Sequence, residues 1–403
     1  MKKILALLLA LCMIFALCAC GKKAEPKTLK IWVPEATVEF TKAQVETFMK
    51  AHPDYAKYEV SVEPVGEGDA ASNMLTDVEA GADIFNFAQD QLARLVSAGA
   101  LTPVSDENAA TVSAENNEGA VAAAKMGGTL YAYPLTADNG YFMYYDKSVV
   151  SDPSKLEAIL ADCEAAGKDF YMEINSGWYQ PAFFFGAGCT LTYDTDDNGA
   201  YTACNIDYAS DKGVAALKAM IELHKSGAFK NGSSISNATN AAAIVDGTWD
   251  SGAAKEAFGD NYACAKLPTV KINGVDTQLG GFTGFKLLGV KPQTDAEKLA
   301  LCDELALFLA GAEVQAARYK AVGWGPSNLV AASDPEVQAD VALAALRDQI
   351  LFDIPQGQYP GDYWGLATAL GDSVIAGEYD DADDAALMAA LQNFQDTCIG
   401  YAG

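Results

Sequence analysis

Apolar and polar positions follow two different rhythms in the first part of the chain. "LKIWV" (29–33) is a short apolar run, and Val45 and Phe48 then follow at helical spacing. "YEVSVEPV" (58–65) alternates as a half-buried strand does, and the apolar run "DIFNF" (83–87) precedes a second helical pattern. Strands that alternate with helices predict an α/β sheet with crossover helices.

The pattern changes along the rest of the chain. "TLYAYPL" and "YFMYYD" predict two more strands on either side of "TADNG", and "TYDTDDNGAYTAC" predicts a hairpin. The length of 403 residues predicts two domains. After residue 290 the pattern is mainly helical. The predicted helices of the middle and C-terminal parts span 153–167, 210–226, 295–310, 312–321, 335–348, 364–377 and 384–397.

The N-terminus has the pattern of a secretory signal. Lys2 precedes an apolar run, Ile4–Ala19, that is short for a membrane-spanning helix. The run ends in "LCAC", which resembles the lipobox of bacterial lipoproteins, so Cys20 would become the lipid-bearing N-terminus. We therefore expect a lipoprotein signal peptide over 1–19, a polar tether over 20–28, and an extracytoplasmic protein anchored to the outer face of the cell membrane. The alternative is an ordinary signal that contains cysteines by chance.

Composition narrows the possible partners. Lys and Arg number 27 against 54 Asp and Glu, a net charge of −27, which becomes −29 if Lys2 and Lys3 leave with the signal. Such a chain repels nucleic acid and anionic lipid surfaces, so we expect no nucleic-acid partner. Half of the residues are hydrophobic, which is typical of a folded chain. No second apolar run reaches spanning length, so the body is expected to be soluble.

The cysteines do not define a metal site. No C-x-x-C pair is present, so a structural zinc site is not expected. Six cysteines remain after Cys20 and the signal are set aside, and they allow fifteen pairings. The one bridge that the pattern favours is Cys189–Cys204, which would flank the predicted hairpin. The six are Cys163, Cys189, Cys204, Cys264, Cys302 and Cys398.

Catalytic motifs are not evident. The chain has two histidines, His52 and His224, which we expect at the surface, and it has no G-x-S-x-G, H-E-x-x-H or P-loop pattern. A glycosidase needs only two carboxylates, and this chain has many, so the sequence leaves glycosidase activity open. However, nothing in the sequence indicates a particular pair. We therefore expect a protein that is not an enzyme and that needs no cofactor.

One acidic stretch resembles a calcium loop. Asp194, Asp196, Asn198 and Gly199 match positions 1, 3, 5 and 6 of an EF-hand loop, but Asn205 stands where the bidentate Glu belongs. A polar hairpin turn with Asn-Gly explains the stretch more simply, so no metal site is expected and calcium remains the alternative.

Three aromatic groups lie among residues that favour loops. Trp178-Tyr179 occurs in "NSGWYQP", Trp249 in "DGTWDSG" and Tyr363-Trp364 in "PGDYWG". Flat rings suit the apolar faces of sugars, and the neighbouring carboxylates and amides can bind hydroxyl groups. The alternative is that one or two of them are half-buried anchors, since loop residues also pack.

Several segments, in order, resemble the extracellular sugar-binding proteins of ABC importers. "LKIWV", "ADIFNFAQDQLARLVSAGALTPV" and "GGTLYAYPLTADNGYFMYYDKSVV" carry the resemblance in the first half, and "DGTW…LPT", "GGFTGFKLLGV" and "ILFDIPQGQY" continue it. Among these proteins the chain is most similar to the maltose/maltodextrin-binding proteins. The resemblance covers nearly all of the mature chain, although related oligosaccharide binders share much of the pattern.

The resemblance implies an α/β, two-lobed periplasmic-binding-protein fold with discontinuous lobes joined by a hinge. A monomer would capture an oligosaccharide in the cleft, close, and dock on the transmembrane subunits of an ABC permease. Lobe 1 would comprise 29–137 plus 283–332 and lobe 2 138–282 plus 333–403, with crossings near 136–139, 280–284 and 331–335.

The same resemblance implies a set of ligand-binding residues. Two carboxylates, Asp90 and Asp138, would accept paired sugar hydroxyls; the alternative for them is a solvated loop end. The full set consists of Glu35, Phe87, Asp90, Asp138, Trp178, Tyr179, Trp249, and Tyr363 or Trp364.

The chain departs from the family pattern at three cationic positions. Ala36 or Thr37 replaces a basic residue after the first strand, Gln91 replaces an Arg, and Ala367 or Thr368 replaces another. We therefore expect stacking to matter more here. The expected ligand is a malto-oligosaccharide, with another oligosaccharide as the alternative, and a secreted glycoside hydrolase or surface glycan-binding protein as the alternative from another class.

Overall fold

The structure, a computed structural model, describes residues 27–402. The strands are β1 Lys27–Val33, β2 Tyr58–Pro64, β3 Ile84–Ala88, β4 Lys125–Met126, β5 Thr129–Leu130, β6 Ala132–Asp146, β7 Asp169–Tyr171, β8 Leu191–Thr195, β9 Tyr201–Ile206, β10 Phe229–Lys230, β11 Ala241–Gly247, β12 Tyr262–Ala265, β13 Thr269–Ile272, β14 Val275–Gln278, β15 Phe282–Val290 and β16 Ile354–Pro355. The α-helices are α1 Val38–Ala51, α2 Ala70–Thr76, α3 Leu92–Ser97, α4 Asp106–Glu115, α5 Glu118–Ala123, α6 Leu156–Ala166, α7 Pro181–Gly186, α8 Asp211–His224, α9 Ser251–Phe258, α10 Ala296–Ala310, α11 Ala312–Val322, α12 Leu329–Ala332, α13 Pro335–Ala339, α14 Val341–Ile350, α15 Gly361–Ile375 and α16 Asp384–Gly400.

The predicted signal peptide, Cys20 and most of the predicted tether lie outside the described residues. The end of that tether is corrected, because Lys27 and Thr28 belong to β1. They pair in parallel with Tyr58 and Glu59 of β2, which gives their backbone groups ordered partners. Within residues 27–402, no helix combines the length and the apolarity needed to cross a membrane.

A ten-stranded sheet runs through the molecule. Its main order is β10-β7-β11-β6-β15-β3-β1-β2, with β12 added to β6 and β16 added to β15. The two long central strands, β6 and β15, pair antiparallel, and their register shifts between Gly284 and Leu287. Outer strands pair in parallel, as β1 does with β2 and β3. The sheet and its helices confirm the α/β class.

Two large hydrophobic cores lie at opposite ends of these central strands. One is built from residues 29–135 together with 287–314, and includes Phe85 and Leu305. The other is built from 141–282 together with 359–398. We call the regions around them lobe 1 and lobe 2. Each lobe takes its core from separated parts of the chain, so the lobes are discontinuous and the central strands connect them.

The helical C-terminal part contains one short helix that was not predicted, α12, and it differs from the prediction at a second place. The expected helix 335–348 is broken into α13 and α14 at Asp340. The Asp340 side chain accepts hydrogen bonds from the backbone of Ala342 at 2.8 Å and Leu343 at 3.0 Å. It therefore acts as the N-cap of α14, a role that favours a new helix start over a continuous helix.

The acidic stretch forms the predicted hairpin, β8–β9. Asp196 Oδ1 accepts hydrogen bonds from the backbone of Asn198 and Ala200, both at 2.9 Å, and Gly199 has a φ of 83°. A methyl group on Gly199 would collide with the carbonyl oxygen of Ala93 in lobe 1, so the tip of this lobe 2 hairpin touches the other lobe. In the part of the chain described, no group of three or more His, Cys, Asp or Glu could hold a metal ion.

The predicted Cys189–Cys204 bridge is wrong. All six cysteines among the described residues are free thiols. The hairpin register pairs Cys204 with Tyr193, four residues beyond Cys189. Four strand residues span about 13 Å, whereas a disulfide needs Cα atoms within about 7 Å.

Candidate functional site

A cleft of about 460 Å³ opens between the lobes, beside the central strands. Lobe 1 contributes acidic and polar side chains to it, and lobe 2 contributes three tryptophans. The lining residues are Glu67, Gly68, Asp69, Ser72, Ala88, Asp90, Gln91, Asn139, Trp178, Trp249, Gln356, Gly361 and Trp364.

Trp178, Trp249 and Trp364 form what we call the aromatic wall. Each is partly exposed in the cleft. Trp178 stacks on Phe282 with ring centroids 5.4 Å apart, and Trp364 meets Tyr363 edge-on at 4.9 Å. Because core rings support these two platforms, their flat faces are held in place before any ligand arrives.

The position of Trp249 depends on a glycine. Strand β11 ends at Gly247, and the next three residues, Thr248–Asp250, form a 3-10 turn. The Trp249 ring folds back over Gly247 so closely that a Cβ at that position would overlap the ring. The local sequence Gly-Thr-Trp is therefore what allows this ring to lie against the backbone and face the cleft.

Asp90 lies at the base of the opposite wall. It follows β3 in the 3-10 turn Gln89–Gln91, and only 2% of it is exposed. Its Oδ1 accepts a hydrogen bond from Gln356 Nε2 at 3.0 Å, and Gln356 Oε1 accepts one from Asn139 Nδ2 at 3.1 Å. Burial raises the pKa of Asp90 to about 7, although the attraction of Arg94 lowers it. Its carboxyl group can therefore change charge near neutral pH.

Gln91 holds the loop that supplies the rest of this wall. Its Nε2 donates to the carbonyl oxygens of Glu67 at 2.6 Å and Gly68 at 2.9 Å, and its Oε1 accepts from the Ala71 backbone at 2.9 Å. These three hydrogen bonds hold the loop so that Glu67 and Asp69 line the cleft. We call Glu67, Asp69 and Asp90 the polar wall. Gln91, which stands where the resemblance implies an Arg, therefore lines the cleft and also holds this loop in place.

A buried lysine lies behind the cleft. Lys286, in β15, has no exposed surface, and its Nζ lies 2.5 Å from Glu67 Oε1. The same atom lies 5.0 Å from the ring centroid of Trp249 and 3.9 Å from that of Trp324. The sequence analysis considered only the three replaced cationic positions and missed this lysine, whose signal was its place inside the apolar run "GFKLLGV".

The structure brings four of the predicted site residues to the cleft: Asp90, Trp178, Trp249 and Trp364. Glu35 is exposed at the start of a 3-10 helix, Glu35–Thr37, and does not line it. Phe87 is fully buried in lobe 1, with its ring centroid 5.6 Å from that of Phe85. Phe87 is not among the residues that line the cleft, because its side chain packs within the core of lobe 1.

Asp138 is also corrected. It lies in β6 and is 1% exposed, and its Oδ2 accepts hydrogen bonds from Thr248 Oγ1 and the Gly325 backbone, both at 2.5 Å. Its carboxylate thus ties the crossing strand to the turn that carries Trp249. It supports the aromatic wall from behind, and it does not line the cleft.

The two predicted tyrosines support the tryptophans instead of lining the cleft. Tyr179 is 4% exposed and packs on Tyr141 at 4.9 Å. Tyr363 is 1% exposed, and its hydroxyl donates to the Gly177 carbonyl oxygen at 3.1 Å. Of the pair Tyr363 and Trp364, Trp364 is therefore the cleft residue.

Sequence reasoning missed most of the polar residues. Glu67, Asp69 and Ser72 lie in and beside the loop "GEGDAAS" that follows β2, and a glycine-rich turn after a strand was the available signal. Asn139 and Gln356 come from a crossing strand and from the segment after β16, and neither has a local signal. Chain topology alone brings them to Asp90.

The chain belongs to the family of bacterial extracellular solute-binding proteins, whose sequence profile matches residues 43–345. It is 24% identical to the galactooligosaccharide-binding protein of Bacillus subtilis (strain 168), over 94% of each chain. A structure solved with acarbose is 29% identical, with a TM-score of 0.80, covering 93% of this chain and 99% of that one. Maltodextrin binding protein MalE1 from L. casei BL23, solved without ligand, is 24% identical, with a TM-score of 0.75, covering 92% and 98%.

These likenesses confirm the two-lobed periplasmic-binding-protein fold. They also confirm the resemblance to extracellular solute-binding proteins and, in fold, to the maltodextrin-binding members. Membership of this family implies a location outside the cytoplasm.

Proposed function

We propose that this chain is the substrate-binding protein of an ABC importer and captures an oligosaccharide in the cleft, without breaking any bond. The observation that carries the proposal is the pairing of three supported tryptophans in lobe 2 with a buried carboxyl group in lobe 1. Sugars present apolar ring faces and hydroxyl edges, and this cleft has a wall for each.

Malto-oligosaccharides are the proposed ligands. The support is the 29% identical structure that was solved with acarbose. The Bacillus subtilis relative is named for galactooligosaccharides, which makes these the principal competing ligands. Burying each aromatic platform contributes on the order of 1.5–3 kcal/mol. Three platforms, less the cost of ordering, reach about −8 kcal/mol, which corresponds to micromolar binding.

We further propose that the lobes close by a hinge and that the closed form docks as a monomer on permease subunits. The hinge would lie where β6 and β15 cross between the cores, near 136–139 and 280–284, with a third crossing near 331–335. Lobe 1 would then comprise 29–137 plus 283–332, and lobe 2 would comprise the remaining folded chain. The two separate cores and the irregular register of β15 support this division.

The proposed anchor is a lipid on Cys20. It is supported by the sequence "LCAC" after a short apolar run. Metabolic labelling with a fatty-acid analogue tests it. We expect label on the wild-type protein and none on Cys20→Ala, and continued labelling of that variant would contradict the anchor.

Calorimetric titration tests the ligand. Residues 21–403, which include every described residue, would be titrated with maltose, maltotriose, longer maltodextrins, galactooligosaccharides and β-linked glucose oligomers. We expect micromolar binding to the α-1,4-linked series. Binding to another sugar alone would change the proposed ligand but keep the proposed importer function. No binding to any sugar of the panel would contradict the proposal that the cleft binds a sugar. Release of shorter sugars during incubation would indicate a hydrolase instead.

A further inference from the structure

Lys286 is a charged group in a place where charge is costly. It sits in the middle of β15 with no exposed surface. Moving an ammonium group from water into a protein interior is strongly unfavourable unless partners offset the lost hydration. The partners present are one carboxylate oxygen, Glu67 Oε1 at 2.5 Å, and the faces of two indole rings. The ion pair lacks ordinary hydrogen-bond alignment, since Nζ makes no such bond among the described residues.

The partners of Lys286 belong to different parts of the molecule. Glu67 is in the lobe 1 loop held by Gln91, and Trp249 is in the lobe 2 turn that follows β11. Both line the cleft, whereas Lys286 does not. The third partner, Trp324, is itself buried, with 2% of its surface exposed. One ammonium group therefore contacts one residue of the polar wall and one residue of the aromatic wall.

We propose that Lys286 is a positioning residue that fixes the Glu67 carboxylate and the Trp249 ring relative to each other across the cleft. Its charge fixes the carboxylate through the ion pair and the ring through a cation–π contact, and both would then meet the ligand already oriented. This rests on the proposed function, because the ligand it serves is the oligosaccharide. It extends that function, because it gives a buried cation the role of aligning the polar wall with the aromatic wall.

The test compares two buried lysines of one lobe. Lys286→Met removes the charge and keeps a long apolar side chain. Lys291→Met is the matched control, since Lys291 is 8% exposed, pairs with Asp83 at 3.6 Å and lies away from the cleft. In calorimetric titration of residues 21–403 with the best sugar of the panel, we expect Lys286→Met to bind about ten- to thirty-fold more weakly. Lys291→Met should stay within about twofold of wild type.

A ligand-free measurement separates this proposal from the proposed function. The chain has five tryptophans, so 5-fluorotryptophan labelling gives five ¹⁹F resonances, with that of Trp249 assigned through Trp249→Phe. We expect the Trp249 resonance to broaden or split in Lys286→Met and to stay single in Lys291→Met. If the wild type binds no sugar but this difference holds, the proposed function fails and the positioning role stands. A sharp Trp249 resonance in Lys286→Met would overturn the positioning role.

Glu67→Gln keeps the test decisive if Lys286→Met does not fold, because Glu67 lies in a partly exposed loop. We expect this variant to weaken sugar binding and broaden the Trp249 resonance. A sharp Trp249 resonance in Glu67→Gln would contradict the positioning role even without Lys286→Met. Where Lys286→Met does fold, the loss of affinity in the double variant should be well below the product of the two single losses, since both changes break one contact. Independent, multiplicative losses would contradict a shared role.

Discussion

The two walls of the cleft are built in opposite ways. The aromatic wall of lobe 2 consists of large rings backed by other rings, as Trp178 is by Phe282 and Trp364 by Tyr363. The polar wall of lobe 1 consists of carboxylates at the end of a strand and in a loop, and hydrogen bonds hold it in place, chiefly those of Gln91. One wall is fixed by packing and the other by a hydrogen-bond network.

This difference separates two contributions to binding. Stacking on the aromatic wall depends on buried area and tolerates several sugars, because every pyranose has an apolar face. Hydrogen bonds to the polar wall depend on the position of each hydroxyl group, and a mismatch leaves a buried polar group unpaired. We therefore expect the aromatic wall to set most of the affinity and the polar wall to set most of the discrimination among sugars.

The largest expected effect concerns a residue behind the polar wall. Phe87→Ala removes a fully buried ring from the core of lobe 1 and should lower the free energy of unfolding by about 3–5 kcal/mol. Affinity for sugar should be unchanged in the protein that remains folded, because Phe87 does not line the cleft. Urea unfolding and titration of the same preparation measure both quantities. Weakened binding at unchanged stability would put Phe87 in the site after all.

Trp249→Ala tests the aromatic wall itself. Loss of one platform should cost about 1.5–3 kcal/mol of binding energy, roughly a ten- to hundred-fold loss of affinity, for every sugar that binds. The matched control is Trp32→Ala, since Trp32 is a half-buried tryptophan outside the cleft, and it should leave affinity unchanged. An equal loss in both variants would mean that the effect comes from stability and not from stacking.

Asp90 makes the polar wall sensitive to pH. Because burial raises the pKa of Asp90 to about 7, the Asp90 carboxyl group of the sugar-free protein is mostly protonated below that pH. Sugar hydroxyls donate to the ionised form, so binding should expel the proton, and affinity should rise with pH through 7 by up to about tenfold per pH unit. Calorimetry in buffers of different ionisation enthalpy measures the proton released. Asp90→Asn should remove the dependence, and an unchanged slope in that variant would exclude Asp90 as its source.

Gly247→Ala should have the smallest of these effects. The added methyl group overlaps the Trp249 ring, which must turn away from its place in the cleft. We expect affinity to fall a few-fold to tenfold, up to about 1.4 kcal/mol. Gly252→Ala is the control, because a Cβ there meets open space. Equal affinities for the two variants would show that Trp249 tolerates displacement.

The aromatic wall was largely predictable from the sequence. Trp178, Trp249 and Trp364 stand among glycine and polar residues, and such a context carries a local signal for partial exposure. The neighbours Tyr179 and Tyr363 share that context but lie on the inner side of their segments, and only the fold separates the two members of each pair.

The polar wall was mostly not predictable, for a physical reason. Its shape depends on contacts between distant segments, such as Gln91 with Glu67 or Asn139 with Gln356, and no sequence spacing encodes these. Asp138 was predicted as a ligand-binding residue from its place in the sequence. Its carboxylate instead accepts hydrogen bonds from Thr248 and Gly325, and these contacts could not be read from the sequence. Periodicity predicted β1, β2, β3 and the β8–β9 hairpin, but the two strands expected on either side of "TADNG" are one continuous strand, β6, and β11 and β15 were not predicted. The break at Asp340 depended on a cap.

The place of β15 in the chain and in the sheet sets the order in which the molecule can assemble. This strand lies between β6 and β3, near the middle of the sheet, yet it spans Phe282–Val290, more than two thirds of the way along the chain. A growing chain therefore contains all the strands from β1 to β14 before it contains the strand that lies between β6 and β3. The sheet can therefore be completed only after residue 290 has been made, so for most of its synthesis the chain cannot reach its final two-lobed form.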